Sequence, residues 1–158
     1  MRVAQLMTSQ VKSCGPDDFL DQAAQLMWDT DCGCLPVCSA DGANRVIGVI
    51  TDRDICMSAL FQAKALREMR VSDAMSKQLH VCRRGDSLAS AEKTMREARI
   101  RRLPVVDDQG ALIGMITLAD LAREAAREST TPKREITETE VGDTLAAICQ
   151  PSAQRLAA

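Results

Sequence analysis

Apolar residues along the chain fall into two matching series. Leu20, Ala23, Ala24 and Met27 form a stripe at helical spacing, and Leu88, Ala91 and Met95 form a second one. Each stripe is followed by two short apolar runs that read as strands, 34–38 and 46–50 in the first series and 102–106 and 112–116 in the second. An Asp-Gly or Gln-Gly turn (Asp41-Gly42, Gln109-Gly110) separates the runs of each pair. Asp18 and Asp86, just ahead of the stripes, are expected as helix N-caps. Short helical openings at 3–7 and 71–75 and brief strands near 11–13 and 79–82 complete the front of each series. Second helices are expected to start at Thr51 and Thr117 and to run to about 63 and 126.

The residues themselves also repeat. Val3, Met7, Cys14, Asp18, Leu20, Ala23, Met27, Leu35, Pro36 and Val37 meet Val71, Met75, Cys82, Asp86, Leu88, Ala91, Met95, Leu103, Pro104 and Val105 without a gap. The first copy then carries two extra residues, Asn44 and Arg45, in a turn-rich segment that tolerates length change. After them Ile47, Gly48, Ile50, Thr51 and Asp54 meet Ile113, Gly114, Ile116, Thr117 and Asp120. The fold class that follows is α/β (α+β), with two β-α-β-β-α repeats packed through their sheets in pseudo-two-fold symmetry. So small a unit buries too little surface alone, which favours one shared body over two independent ones. The expected organisation is a first repeat at 1–63, a linker and second repeat at 64–127, and a C-terminal tail at 128–158. Leu35, Val37, Ile47, Val49, Val105, Ile113 and Ile116 are the expected core. In the tail, 129–134 reads as a flexible break, and Val141, Leu145, Ile148 and Cys149 give a candidate helix at 141–149 one apolar face.

With 46% hydrophobic and 27% charged residues in 158, the chain can bury a core. Aromatic residues are only 2%, which excludes stacking platforms for nucleic acid. A net charge of −2 supplies no overall field for phosphate backbones or anionic membranes. No run of residues is apolar enough for a membrane span, and residues 1–10 lack the pattern of a secretory leader. Seven cysteines, an odd and unevenly spaced set, point to a reducing compartment, and the cytoplasm is expected.

One pattern stands twice at a strand-to-helix junction: Gly48-Val49-Ile50-Thr51-Asp52-Arg53-Asp54 and Gly114-Met115-Ile116-Thr117-Leu118-Ala119-Asp120. With Leu35-Pro36-Val37 and Arg102-Leu103-Pro104-Val105-Val106-Asp107, it closely resembles the cystathionine-β-synthase (CBS) domain family over about residues 1–127. The resemblance implies a disc-like Bateman module that often pairs into a homodimer, binds adenosine-containing ligands in clefts between repeats, and regulates an attached or partner protein. It further implies that Lys12, Ser13, His80 and Val81 on the first strands line the adenine pocket. A basic residue three positions before the proline reaches phosphate in that family. Here this is Arg101, followed by Arg102, whereas the first copy has Gly33 and Cys34. Val49 and Met115 would offer backbone groups and an apolar surface to the base.

A physical reading of the same residues runs beside the resemblance. A helix N-terminus presents unpaired N–H groups and partial positive charge, so Thr51 and Thr117 suit phosphate. Asp54 and Asp120, one turn along, can accept hydrogen bonds from vicinal ribose hydroxyls. Thr-x-x-Asp is equally a plain capping arrangement. Arg53 either reaches a phosphate or points to solvent, and Arg99, Arg101 and Arg102 read either as a phosphate contact or as a solvated basic edge.

Cys32, Cys34 and Cys38 invite a metal or redox reading, but Cys34 and Cys38 share a face of an expected buried strand, and the sole histidine, His80, lies in the other copy. No metal site is expected. Without a phosphate loop, a nucleophile elbow or a base, an enzyme is not expected either. The leading expectation is a stand-alone regulatory CBS-pair module with no obligatory cofactor. It would take an adenosyl nucleotide (AMP, ADP, ATP, S-adenosylmethionine or similar) as regulatory ligand, form a homodimer and signal to an unknown effector protein. The alternative is a structural interaction protein whose clefts bind no ligand. The apolar positions Ile55, Leu60 and Phe61 of one second helix, with Leu121, Ala122 and Ala125 of the other, are the expected pairing surface.

Overall fold

In the computed structural model residues 1–130, 132 and 134–150 are described. The expected tail is thus covered to residue 150, and the expected break at 129–134 lies partly outside the described residues. The first copy contains α1 (Leu20–Asp29), β1 (Cys34–Cys38), β2 (Val46–Thr51) and α2 (Asp52–Gln62). The second contains α3 (Val71–Ala74), β3 (Cys82–Arg83), α4 (Leu88–Ala98), β4 (Arg102–Val106), β5 (Leu112–Thr117) and α5 (Leu118–Glu128), and α6 (Glu138–Cys149) is the last element among the described residues. Short 3-10 turns stand at Val3–Gln5 and Leu66–Glu68. The result is a mixed α/β fold with, among the described residues, six α-helices and two small sheets, β1-β2 and β3-β4-β5. Among the described residues no helix is long and apolar enough to cross a membrane.

The chain divides into two compact units that cut across the repeats. Unit 2 comprises Gln10–Leu79 with Val106–Ile113, and unit 1 comprises Met1–Ser9, His80–Val105 and Gly114–Ala158. The opening segment of each copy therefore belongs with the strands of the other. In unit 1, Thr8 N–H donates to Met115 O and Met115 N–H to Thr8 O, both at 2.9 Å, and Val3 N–H donates to Asp86 O at 2.9 Å. In unit 2 the same bonds recur as Val49 N–H to Ser76 O at 3.1 Å, Ser76 N–H to Val49 O at 2.9 Å and Val71 N–H to Asp18 O at 2.8 Å.

Both crossings depend on glycine. A Cβ on Gly48 would lie 2.8 Å from Ser76 O and 3.0 Å from Met75 Sδ; one on Gly114 would lie 2.8 Å from Thr8 O and 3.0 Å from Met7 Sδ. The extra residues Asn44 and Arg45 also have a partner within unit 2. Leu112 N–H donates to Asn44 O at 2.9 Å, and Arg45 bridges Ala111 on the hairpin turn of the second copy.

The unit 2 core gathers Cys14, Leu20, Ala23, Met27, Leu35, Val37, Ile50, Ile55, Met69 and Val71. In unit 1, Val3, Leu88, Met95, Leu103, Val105, Ile116 and Leu121 are fully buried. Of the expected core, Leu35, Val37, Val105 and Ile116 are buried, Val49 and Ile113 only half so. Ile47 is 37% exposed, because the pleat of β2 turns Val46, Gly48 and Ile50 inward and its odd residues outward.

Three further expectations are corrected. The strand expected near 11–13 is absent: only Cys14 bridges Val37, because Gly15-Pro16 turns the chain where the second copy continues β3 into Arg83. Asp18 and Asp86 are not N-caps. Their carboxylates accept from Gly15 N–H at 2.7 Å and Arg83 N–H at 2.8 Å, closing the turn that leads into each helix. The caps are Phe19 and Ser87, one residue on. The tail helix begins at Glu138 rather than 141. Its inward face is centred on Thr144, whose hydroxyl donates to the buried Glu92 carboxylate of α4, while Leu145 and Cys149 are exposed.

The glycine crossings make an expected outcome explicit. Gly48→Ala and Gly114→Ala must each displace backbone, and overpacking of this kind costs about 1–3 kcal/mol. Gly85→Ala, with nothing within 4 Å of its added Cβ, serves as the near-neutral control. Urea unfolding of the three variants should separate them accordingly.

Candidate functional site

Thr51 and Thr117 end β2 and β5 and cap α2 and α5 with the same geometry. Thr51 Oγ1 accepts from Asp54 N–H at 3.2 Å and donates to Asp54 Oδ2 at 2.7 Å, and Thr51 N–H donates to that oxygen at 2.9 Å. The corresponding distances at Thr117 and Asp120 are 3.2, 2.7 and 2.8 Å. This is a closed capping box. Thr137 and Glu140 build the same box at the start of α6, with an exposed 2.7 Å hydroxyl-to-carboxylate bond.

What each box leaves over differs between the copies. Among the described residues no donor reaches Oδ1 of half-buried Asp54. Oδ1 of buried Asp120 accepts from the Arg123 guanidinium one turn along α5. Met57 holds the position of Arg123 in the first copy. The neighbouring loops diverge as well. Arg101 O accepts from Leu118 N–H at 2.9 Å, which anchors exposed Arg101 beside the first residue of α5. Gly33 O accepts from Asp52 N–H at 3.4 Å, and a Cβ on Gly33 would lie 2.8 Å from Asp52 Oδ2. A carboxylate thus lies beside the loop position at which the second copy carries an arginine.

Unit 2 holds Lys12, Ser13, Val49, Thr51, Arg53 and Asp54; unit 1 holds His80, Val81, Arg101, Arg102, Met115, Thr117 and Asp120. Lys12 and Arg53 are exposed, and Arg102, His80 and Val81 are half-buried, the last two just ahead of β3. Ser13 lies against the Cys38 thiol. One expectation fails: Val49 and Met115 have no free backbone groups for a base, since Ser76 and Thr8 bond both the N–H and the C=O of each. Only their side chains remain. Arg123 was legible as an i,i+3 partner of Asp120 but escaped the motif, which ends at the aspartate. Nothing in the local sequence signals the roles of Thr8 and Ser76.

All seven cysteines are free thiols, and among the described residues no group of three or more His, Cys, Asp or Glu side chains is placed to hold a metal ion. Cys14 and Cys82 are equivalent buried residues whose thiols are pushed from 9.0 up to about 12, chiefly by burial. Both therefore stay protonated in the fold where the unfolded chain would ionise. Their contribution to stability is complete below about pH 9 and is lost as pH rises through about 12. Denaturant midpoints should fall across that window. At neutral pH iodoacetamide should label exposed Cys56 and Cys149 well before Cys14 and Cys82, as read by peptide mass spectrometry.

Residues 3–60 and 71–127 each match the CBS domain family. The chain is 37% identical over 120 residues to the CBS domain-containing protein YhcV of Bacillus subtilis, covering 76% of this chain and 82% of that one. Hypoxic Response Protein I, solved with two coordinated zinc ions, superposes with a TM-score of 0.70 at 29% identity, covering 78% of this chain and 98% of that one. CBSX2, solved in complex with AMP, superposes with a TM-score of 0.69 at 28% identity, with 81% and 98% covered.

Proposed function

Because this chain belongs to the CBS domain family as a CBS pair, we propose that it is a regulatory module that binds an adenosine-containing ligand and passes its binding state to a partner protein. The free Oδ1 of Asp54 carries the reading. It is a carboxylate oxygen that no donor reaches among the described residues, held by a capping box at a helix N-terminus, and a ribose diol is its natural complement. The AMP bound by a relative of the same fold supports the ligand class.

In this reading the two copies divide the ligand chemistry. Thr51 and Asp54 grip ribose, with the side chain of Val49 against the base and Lys12 and Ser13 at the pocket edge. Asp52 beside Gly33 disfavours phosphate there, with exposed Arg53 the one nearby cation of the motif. Thr117 and Asp120 form the second grip, with Met115, His80 and Val81 toward the base and Arg101 and Arg102 toward phosphate. Arg123 must leave Asp120 before a ribose can take its place. No cofactor is obligatory. The free thiols support a reducing, cytoplasmic setting.

Calorimetry with adenosine and AMP tests the proposal. Removing a charge-assisted hydrogen bond costs roughly 1.5–3 kcal/mol, so Asp54→Ala should weaken both ligands about ten- to a hundredfold. Arg101→Ala should weaken AMP and leave adenosine unchanged. Arg123→Ala should strengthen binding that Asp120→Ala abolishes. Full affinity in both Asp54→Ala and Asp120→Ala would reduce the motifs to helix caps, like Thr137, and favour a structural interaction protein with empty clefts.

A further inference from the structure

Eight methionines stand in the chain, and two pairs of them are repeat equivalents. Met27 and Met95 fill the cores of the two units and are 4% and 0% exposed. Met7 and Met75 are half-buried and stand at the two glycine crossings. Met75 Sδ lies 3.0 Å, and its Cγ 3.5 Å, from the place a Cβ would take on Gly48; for Met7 at Gly114 the distances are 3.0 and 3.4 Å. Each thioether thus rests on the leading glycine of a Thr-x-x-Asp motif. The next residue along the chain, Ser76 or Thr8, carries the paired backbone bonds to Val49 or Met115.

A thioether packs like a leucine of similar size but can also be oxidised. Hydrogen peroxide transfers one oxygen to the sulfur: the O–O bond breaks, an S–O bond forms, the sulfur gives up two electrons, and water leaves. The product is polar and chiral where the thioether was apolar. At Met7 and Met75 that change meets a tight contact. Either the new oxygen points at the strand, where there is no room even for a Cβ, or the side chain leaves the glycine. Exposure separates this pair from the other one. A small peroxide reaches half-buried Met7 and Met75, whereas Met27 and Met95 are shielded by the cores.

We propose that Met7 and Met75 are paired oxidation sites, at which a hydroperoxide loosens the glycine crossings and with them the two ligand grips. The effect on ligand rests on the reading of the chain as a ligand-binding module; the opening of the crossings does not. Each sulfur belongs to one grip. In unit 2, Met75 at Gly48 supports Val49, two residues before Thr51. In unit 1, Met7 at Gly114 supports Met115, two residues before Thr117. A grip that holds its shape for only a fraction of the time binds in proportion to that fraction. Methionine sulfoxide is reduced back by dedicated reductases, so the change is reversible. The two copies therefore carry separate oxidation sites, one for each grip.

The test treats the full chain with hydrogen peroxide and then with excess dithiothreitol, which restores disulfides and sulfenic acids but leaves methionine sulfoxide. Peptide mass spectrometry should find the added oxygen on Met7 and Met75 well before Met27 and Met95. Amide hydrogen exchange at Val49 and Ser76, and at Thr8 and Met115, should then speed up by about tenfold, within the range that overpacking carries. Adenosine affinity should fall by a similar factor. Met75→Leu, a swap of nearly equal volume, should keep Val49 and Ser76 protected after peroxide while Thr8 and Met115 still open. Met7→Leu should do the reverse, and the double variant should keep its adenosine affinity through the treatment. Oxidation of Met27 and Met95 in step with Met7 and Met75, unchanged exchange in chains carrying both sulfoxides, or equal opening in the double variant would each overturn the proposal. A chain that binds no adenosine before treatment would overturn the ligand reading, and amide exchange would still decide whether the crossings open.

Discussion

The close approach of backbone to backbone at two glycines is the constraint on which the structure depends. Gly48 and Gly114 let the opening segment of one copy lie against the last strand of the other, at a distance no side chain would permit. That contact bonds both backbone groups of Val49 and of Met115, the second residues before the capping threonines. The strand ends are thereby held, and the threonines are presented at the starts of α2 and α5. The motif's leading glycine and its Thr-x-x-Asp thus act at two levels, the one admitting a neighbouring segment and the other organising a helix start.

Duplication supplied two copies of this device, and substitutions around them have made the copies unequal without disturbing the backbone. The boxes at Thr51 and Thr117 agree within 0.1 Å in every bond. The differences lie around the boxes: Asp52 against Leu118, Gly33 against Arg101, and Met57 against Arg123. Each changes local charge, and the first also changes packing, Leu118 being buried where Asp52 is exposed. Such positions can vary while the capping geometry stays the same, which is how a duplicated frame comes to carry two chemically distinct capping boxes.

The features readable from sequence were those set by short-range periodicity. The stripes of α1 and α4, the strands at 34–38 and 102–106, and the caps at Thr51 and Thr117 follow from spacing and residue type alone. Ile47 was misplaced because a short apolar run does not reveal which face of the pleat is buried. Asp18 and Asp86 were displaced by one position because a carboxylate closing a turn and one capping a helix look alike in sequence. Thr144 looked like an ordinary polar residue until the long-range contact with Glu92 gave its hydroxyl a buried acceptor. The pairing of residues 2–8 with partners around 84–87 and 115 had no local signal, since a contact over so long a separation leaves no periodicity.

The crossed segments also order the life of the nascent chain. Everything in unit 2 has been synthesised once Ile113 is made, whereas unit 1 takes its first strand contact from residues near the start of the chain and its last helix from near the end. Residues 2–4 must therefore wait for partners around 84–87, and Thr8 waits longer, until Met115 emerges. Closing so long a loop carries an entropic cost and slows folding relative to local contacts. The duplicated sequence thus encodes a sequential assembly, in which unit 2, complete at Ile113, can form before unit 1, which needs Met115 and α6.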